Sequence, residues 1–273
     1  MGATEKATSS FIGRVYQRLD RSSQELLGDY LMLHHPLYRR RSDDVPQAQR
    51  NLTDFCLENV APLSDRSVVE VGCGNGMQAL YIWERHRPAA IVGVDLDGSL
   101  IARAQQLSRA VGADGASFVV GDAQNLSDLA DDSFDVLINV QSAFHYPRIE
   151  RFLAEIRRVV KPGGSFVIAD ILSNGKPRNM LMRWLDRRTN HIYRDHGWYR
   201  DELARAGLQV DRDADVTHEV IRGFDHARRL LRRHRHADRG GHVVARLVAL
   251  VLIVRSRYYM RRSCQYYVFA GRV

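Results

Sequence analysis

Between Ser67 and Ala169, short apolar, β-branched runs alternate with longer stretches in which apolar residues recur every three or four positions. An unbroken apolar run suits a strand covered on both faces, and the three-to-four repeat suits a helix lying against it. The pattern predicts strands at Ser67 to Val71, Ile91 to Val94, Ser117 to Val120, Phe134 to Val140 and Ser165 to Ala169. It predicts helices at Met77 to Glu84, Leu100 to Val111 and Ile149 to Val160, the last stopped by Lys161-Pro162-Gly163-Gly164. Such alternation folds as parallel strands joined by crossover helices, so the expected class is α/β, a doubly wound sheet with helices on both faces.

The flanks read differently. Helical periodicity at Phe11 to Leu19, Gln24 to Met32 and Ala48 to Val60 predicts a helical cover over residues 1–60. The main domain is then 61–273. Within it Asn179 to Arg194 and Tyr199 to Ala206 read as helices, and residues 172–206 as a lid inserted over the pocket. Leu208 to Thr217 reads as a strand, an Arg-rich helical stretch spans about 218–255, and Gln265 to Gly271 reads as the last strand.

Composition narrows the class. With 45% hydrophobic and 26% charged residues the 273-residue chain has the balance of a globular protein with a sizeable core. The formal charge is +8, almost all of it from Arg, since only Lys6, Lys161 and Lys176 are lysines. Arg228, Arg229, Arg232, Arg233, Arg235 and Arg239 form either a solvated helix face or a contact for an anionic carrier domain, phosphates or lipid head groups. The polar start from Met1 to Lys6 predicts no signal peptide, and Cys56, Cys73 and Cys264 are too few and too scattered for a disulfide framework or a zinc site. A reducing cytoplasm is the expected location. The run from Val243 to Val254, broken by Arg246, falls short of the roughly 20 residues of a bilayer span, so no transmembrane segment is expected.

The first strand empties into Gly72-Cys73-Gly74-Asn75-Gly76. Glycines there let a ligand reach the backbone, although a tight βα turn without ligand satisfies the same pattern. The spacing is not that of the dinucleotide fingerprint, and no P-loop Lys-Ser/Thr follows. Asp95 ends the second strand about twenty residues on, where a carboxylate accepts bonds from ribose hydroxyls, and Asp97 and Ser99 are better placed to cap the next helix. Asp122, ending the third strand, has two readings, an acceptor for an adenine amino group or a cap for a helix from Asn125.

Val69-Glu70-Val71-Gly72-Cys73-Gly74, Gly93-Val94-Asp95, Gly121-Asp122-Ala123, Phe134-Asp135-Val136-Leu137 and Val160-Lys161-Pro162-Gly163-Gly164, in this order, resemble the class I S-adenosylmethionine-dependent methyltransferases over about half the chain. The resemblance implies a mostly parallel seven-stranded sheet and S-adenosyl-L-methionine as cofactor. It places Glu70, Gly72, Cys73 and Gly74 at the methionine end, Asp95 and Leu96 at the ribose, Asp122 and Ala123 at the adenine, and Asn139 near the sulfonium. Within the class, Asn139 to Pro147 with Arg151-Phe152-Leu153-Ala154-Glu155 is similar to the phthiotriol/phenolphthiotriol dimycocerosates methyltransferases, which O-methylate a lipid alcohol. Val220-Ile221-Arg222-Gly223 and the Tyr-rich end are similar too, whereas the first 45 residues and the lid do not match. Asn139 stands where metal-dependent relatives place a carboxylate ligand, so no metal is expected.

Methyl transfer to an alcohol requires alignment, exclusion of water and removal of a proton. His145, after the fourth strand, is the candidate general base; a histidine bonded to a neighbouring loop is the other reading. His191, Tyr193, His196, Trp198 and Tyr199 in the lid, and Phe11, Tyr16, Tyr30 and Tyr38 in the cover, suit either an apolar pocket with polar tips or ordinary helix packing. The expected acceptor is a hydroxyl of a small, largely apolar molecule such as a polyketide or lipid, free or on a carrier protein. Alternatives are C- or N-methylation of a small molecule, and a nucleic-acid or protein methyltransferase, supported only by charge and lacking the Asn/Asp-Pro-Pro-aromatic motif. A non-methylating cyclase or binding protein on the same fold is the remaining alternative.

Overall fold

The computed structural model describes residues 14, 17, 31–40, 42–58, 60, 62–233, 254 and 256–273. In chain order the elements are α1 (Val45–Leu57), β1 (Ser67–Val71), α2 (Met77–His86), β2 (Ala90–Asp95), α3 (Gly98–Ala110), β3 (Ala116–Val120) and β4 (Phe134–Val140). A 3₁₀ turn (Ala143–His145), α4 (Ile149–Val159), β5 (Val160–Ser173), α5 (Met180–Arg188), α6 (His196–Arg205), β6 (Gln209–Asp215), α7 (Thr217–Arg233) and β7 (Cys264–Arg272) follow.

The seven strands form one sheet in the order β3-β2-β1-β4-β5-β7-β6. Strands β1 to β5 are parallel, and β7 runs antiparallel between β5 and β6. The order reverses between β1 and β4, which opens a crevice at the carboxyl edge, the ligand-binding position of open α/β sheets.

Each face of the sheet carries its own core. On one, Val68, Ile91, Val136, Ile138, Val167, Ala169 and Val268 pack with Leu52 and Cys56 of α1 and Ala79 and Ile82 of α2. On the other, Val69, Leu137, Ile168 and Phe269 pack with α4 and α6. Helix α4 shows why: Ile149, Phe152, Leu153, Ile156 and Val159 recur at helical spacing and are all buried. The Tyr199 ring of α6 stacks on Phe269 at 5.0 Å.

Three expectations change. Lys161-Pro162-Gly163-Gly164 does not simply stop a helix: the chain passes from Val159 straight into β5, where Val160 pairs with Phe134 and Ser165 with Val136 across a bulge. The fifth strand then runs to Ser173, because the antiparallel β7 pairs with it that far. The helix expected over Asn179 to Arg194 ends at Arg188, and Ser173 bridges Asp195, where α6 begins its return over the sheet.

In the cover, α1 begins three residues before the expected Ala48 to Val60 segment and ends at Leu57, with Asp44 as its N-cap, accepting from Gln47 N at 2.8 Å. The helices expected at Phe11 to Leu19 and Gln24 to Met32 fall almost wholly outside the described residues, as do Tyr16, Tyr30 and most of the Arg-rich stretch. Among the described residues no helix is long and apolar enough to cross a membrane.

At Gly76 the backbone is left-handed (φ +77°), and an added Cβ would lie 2.6 Å from Ala104 Cβ and 2.8 Å from Phe118. Gly76→Ala therefore combines left-handed strain with overpacking and is expected to lower stability by about 2–4 kcal/mol. Urea denaturation checks this; an unchanged midpoint would show that the turn relaxes freely.

Candidate active site

The glycine loop is shaped by the end of β2. The Val94 carbonyl accepts from Gly72 N (2.7 Å) and Cys73 N (3.1 Å). The turn needs left-handed backbone at Gly72, Gly74 and Gly76, which glycine adopts without a steric cost. A Cβ on Gly72 would stand 2.2 Å from Ser142 Oγ, so this position is also closed to any side chain by the loop after β4. Cys73 contributes backbone to the loop, while its thiol is buried in the core and its pKa pushed up by burial.

Asp95 is the last residue of β2. Its Oδ2 accepts from Gly74 N at 2.8 Å and its Oδ1 from Asp97 N at 2.9 Å. The carboxylate thus pins the loop while each oxygen keeps a further lone pair. Asp97, as expected, caps α3, accepting from Ser99 N (2.9 Å) and Leu100 N (3.3 Å). Leu96, between them, presents an exposed apolar side chain.

Glu70 is buried, and its Oε2 has no hydrogen-bond partner. Burial, reinforced by the nearby charge of Asp95, raises its pKa from the ordinary 4.5 to about 8. Burial also raises that of Asp95, against the pull of the Asp97 and Gly74 N–H groups.

Asn139 forms the floor. Its Nδ2 donates to the Val71 carbonyl (2.9 Å), Ser142 Oγ (2.7 Å) and the Tyr146 hydroxyl (3.1 Å), and its buried Oδ1 has no partner. Ser142 and Tyr146 are themselves 2.9 Å apart. Neither residue stood out in the sequence; the one signal was indirect, a glycine at position 72 that leaves room for Ser142.

On the third strand's side, Asp122 Oδ1 accepts from Gln124 N (2.9 Å) and Gln124 Nε2 (3.1 Å). No helix starts at Asn125; the segment is a sequence of turns, so Asp122 caps a turn and not a helix. Ala123 is buried beside Leu126 and Val94.

His145 is bonded to residue Asn190 of the lid segment. Its Nδ1 lies 3.2 Å from the Asn190 carbonyl, and Asn190 Nδ2 donates to the His145 carbonyl at 2.8 Å. A carbonyl only accepts, so in this bond Nδ1 carries the proton, and the ring also bonds the backbone of Thr189. Burial lowers the pKa to about 4. The His145 ring sits 4.9 Å from His191, whose Nδ1 is 2.9 Å from the Tyr193 hydroxyl, and Phe144 stacks parallel to Tyr193 at 6.1 Å. The other lid aromatics do not join them: Tyr199 is in the core, and His196 binds Asp213 at 2.6 Å.

The cover closes over the loop. Asn75 Nδ2 donates to the Leu31 carbonyl (2.9 Å), Gln17 Nε2 reaches Asp97 (3.2 Å), and Leu33 lies against Gly74.

Residues 69–168 match the methyltransferase domain family. The chain is 34% identical over 183 residues to the phthiotriol/phenolphthiotriol dimycocerosates methyltransferase of Mycobacterium tuberculosis, covering 67% of this chain and 59% of that one. It is 34% identical over 165 residues to a fatty-acid O-methyltransferase of Mycolicibacterium smegmatis, covering 60% and 52%. The [4+2]-cyclase SpnF has the same fold, with a TM-score of 0.77 and 23% identity over 96% of this chain and 95% of that one. So does the geranyl diphosphate C-methyltransferase of Streptomyces coelicolor A3(2), at 0.73 and 15% over 97% of each. Residues 69–168 belong to the methyltransferase domain family, and the chain has the class I methyltransferase fold. The chain spans between half and two thirds of the length of the curated relatives it matches.

The cofactor of that family is S-adenosylmethionine, and the site fits it. The unpartnered Glu70 Oε2 and Asn139 Oδ1 are acceptors for an ammonium, the loop backbone is bare where the chain of the methionine would pass, and Asp95 has lone pairs for a diol.

Without cofactor, folded Glu70 keeps its proton up to about pH 8, whereas the unfolded chain releases it near 4.5. Between these values the unfolded state binds fewer protons, so stability falls as pH rises. Glu70→Gln is expected to flatten that fall in urea unfolding between pH 5 and pH 8; an identical slope in the variant would show that Glu70 does not titrate in this window.

Proposed function

We propose that this methyltransferase moves the methyl group of S-adenosylmethionine to a hydroxyl of a small, largely apolar molecule of lipid or polyketide type. Glu70, Asn139 and the backbone of Gly72, Cys73 and Gly74 hold the methionine end. Asp95 and Leu96 meet the ribose, and Asp122, through acceptor capacity beyond its own turn, meets the adenine with Ala123. The cofactor supplies an electrophilic methyl on a positive sulfonium. The protein's part is alignment, exclusion of water by cover and lid, and proton removal.

The observation that carries the acceptor reading is the His145 imidazole, with Nδ1 tied to the Asn190 carbonyl and the ring set among Phe144, His191 and Tyr193. Its low pKa keeps it neutral, and a neutral imidazole carries one lone pair able to take a proton from an alcohol as the oxygen attacks. The aromatic setting supports an apolar acceptor. Relatives named for a dimycocerosate lipid and for O-methylation of a fatty acid support the same class.

Asp95→Ala is expected to weaken S-adenosylhomocysteine binding at least about tenfold in calorimetry, since charged hydrogen bonds are lost; unchanged affinity would refute the ribose role. His145→Gln is expected to lower kcat by about 10²-fold or more with cofactor affinity retained, and full activity would remove His145 as base. The reaction itself is tested with methyl-labelled S-adenosylmethionine and metabolites from cells lacking this protein, where the unmethylated precursor accumulates. Tight cofactor binding with no label transfer would favour a non-methylating role, as in the cyclase that shares the fold.

A further inference from the structure

Residues 31–38 run from the glycine loop toward β7, and His35 lies midway. Its backbone N–H donates to Gln141 Oε1 at 2.7 Å. Gln141 directly follows β4, holds a left-handed backbone (φ +55°) and donates its own N–H to the Ala169 carbonyl at 2.6 Å. A non-glycine residue in that conformation stores strain, and here the strained residue fixes the extended segment 31–38 at the carboxyl edge of the sheet. His35 is thereby placed at the crevice, among residues outside the cofactor cradle.

The His35 ring, half-buried, makes no hydrogen bond among the described residues. It lies edge-on to Phe224 at 4.9 Å and 6.2 Å from the ring of Tyr266. Tyr266 sits at the start of β7, paired with Ile171 near the end of β5, so it belongs to the same edge. It is fully buried, and its hydroxyl has no partner. A buried hydroxyl left unsatisfied is costly, and retaining one on a ring 6.2 Å from the His35 imidazole, in the apolar cluster that holds Phe224, Cys56 and Ile171, calls for a ligand group that completes it.

We propose that His35 and Tyr266 form a polar seat in the acceptor pocket that binds an oxygen group of the apolar substrate, separate from the hydroxyl that reacts at His145. This rests on the small-molecule methyltransferase reading and deepens it: the acceptor is an apolar molecule with at least two oxygen functions, such as a diol or a hydroxy-ketone. The imidazole offers one donor and one acceptor because burial holds it neutral, and the phenol adds a donor. A hydroxyl or carbonyl is served by this pair, and a hydrocarbon is not.

The test uses the full chain loaded with S-adenosylhomocysteine, with decan-1-ol and decane as probes. Calorimetry is expected to show decan-1-ol binding, weakened about tenfold in both Tyr266→Phe and His35→Phe, with the preference for the alcohol over decane lost. Tyr266→Phe is also expected to match or exceed the wild-type melting temperature, because it deletes an unsatisfied group; a merely structural tyrosine would instead lower it. His145→Gln is expected to keep the alcohol preference. No preference for decan-1-ol over decane in the wild type, or equal affinities in the wild type and both seat variants, overturns the seat. Label transfer, measured on the same samples, is independent: its absence with the seat intact would sink the methyl-transfer reading alone.

Discussion

Two consecutive residues at the end of β2 hold the donor side of the molecule together. The Val94 carbonyl takes the N–H groups of Gly72 and Cys73, and the Asp95 carboxylate takes those of Gly74 and Asp97. The loop of one strand and the start of the next helix are thus fixed by a neighbouring strand, through contacts about twenty residues apart in sequence. Because those N–H groups must point at β2, the backbone between them has to be left-handed at Gly72, Gly74 and Gly76. From this one arrangement follow the bare backbone of the loop, the close approach of Ser142 to Gly72, and the landing of the cover on Gly74 and Asn75. The glycine spacing and Asp95 are therefore one constraint.

The same constraint explains why the donor side was legible. Strands buried on both faces leave unbroken apolar runs, so β1, β2, β3 and β4 fall within a residue or so of their expected ends. The extension of β5 to Ser173 left no local mark, because its last residues are ordered by pairing with β7 about ninety residues later. Lys161 to Gly164 follows the end of the helix as expected and also forms a bulge in β5, since proline and glycine mark either. Asp122 shows the limit of a local rule: a cap needs a helix after it, and there is none.

The acceptor side was much less readable. His145 was visible as a histidine after the fourth strand, but its orientation toward Asn190 and the lid, and the turn of Tyr146 toward Asn139, depend on a 3₁₀ turn that neither periodicity nor capping signals. His35 meets Gln141 across 106 positions and Tyr266 across far more. Contacts of that range follow from the packing of the cover, and Tyr266 reads in sequence as one apolar residue in a strand.

The electrostatics of the two sides differ, and the difference bears on ligand binding. Glu70 and Asp95 are buried together, each raised by desolvation; Asp95 engages only neutral backbone N–H donors, and Glu70 Oε2 has no partner. Two carboxyls so placed repel one another and favour a proton on Glu70. A cation entering beside Glu70 reverses that preference, because its charge stabilises the carboxylate that burial disfavours. Binding of a cationic donor is then linked to release of a proton, and its affinity rises with pH up to about the pKa of Glu70. On the other side His145 and His35 are both held neutral by burial. The acidic side suits a sulfonium, and under the proposed function the neutral side would suit an uncharged, apolar acceptor.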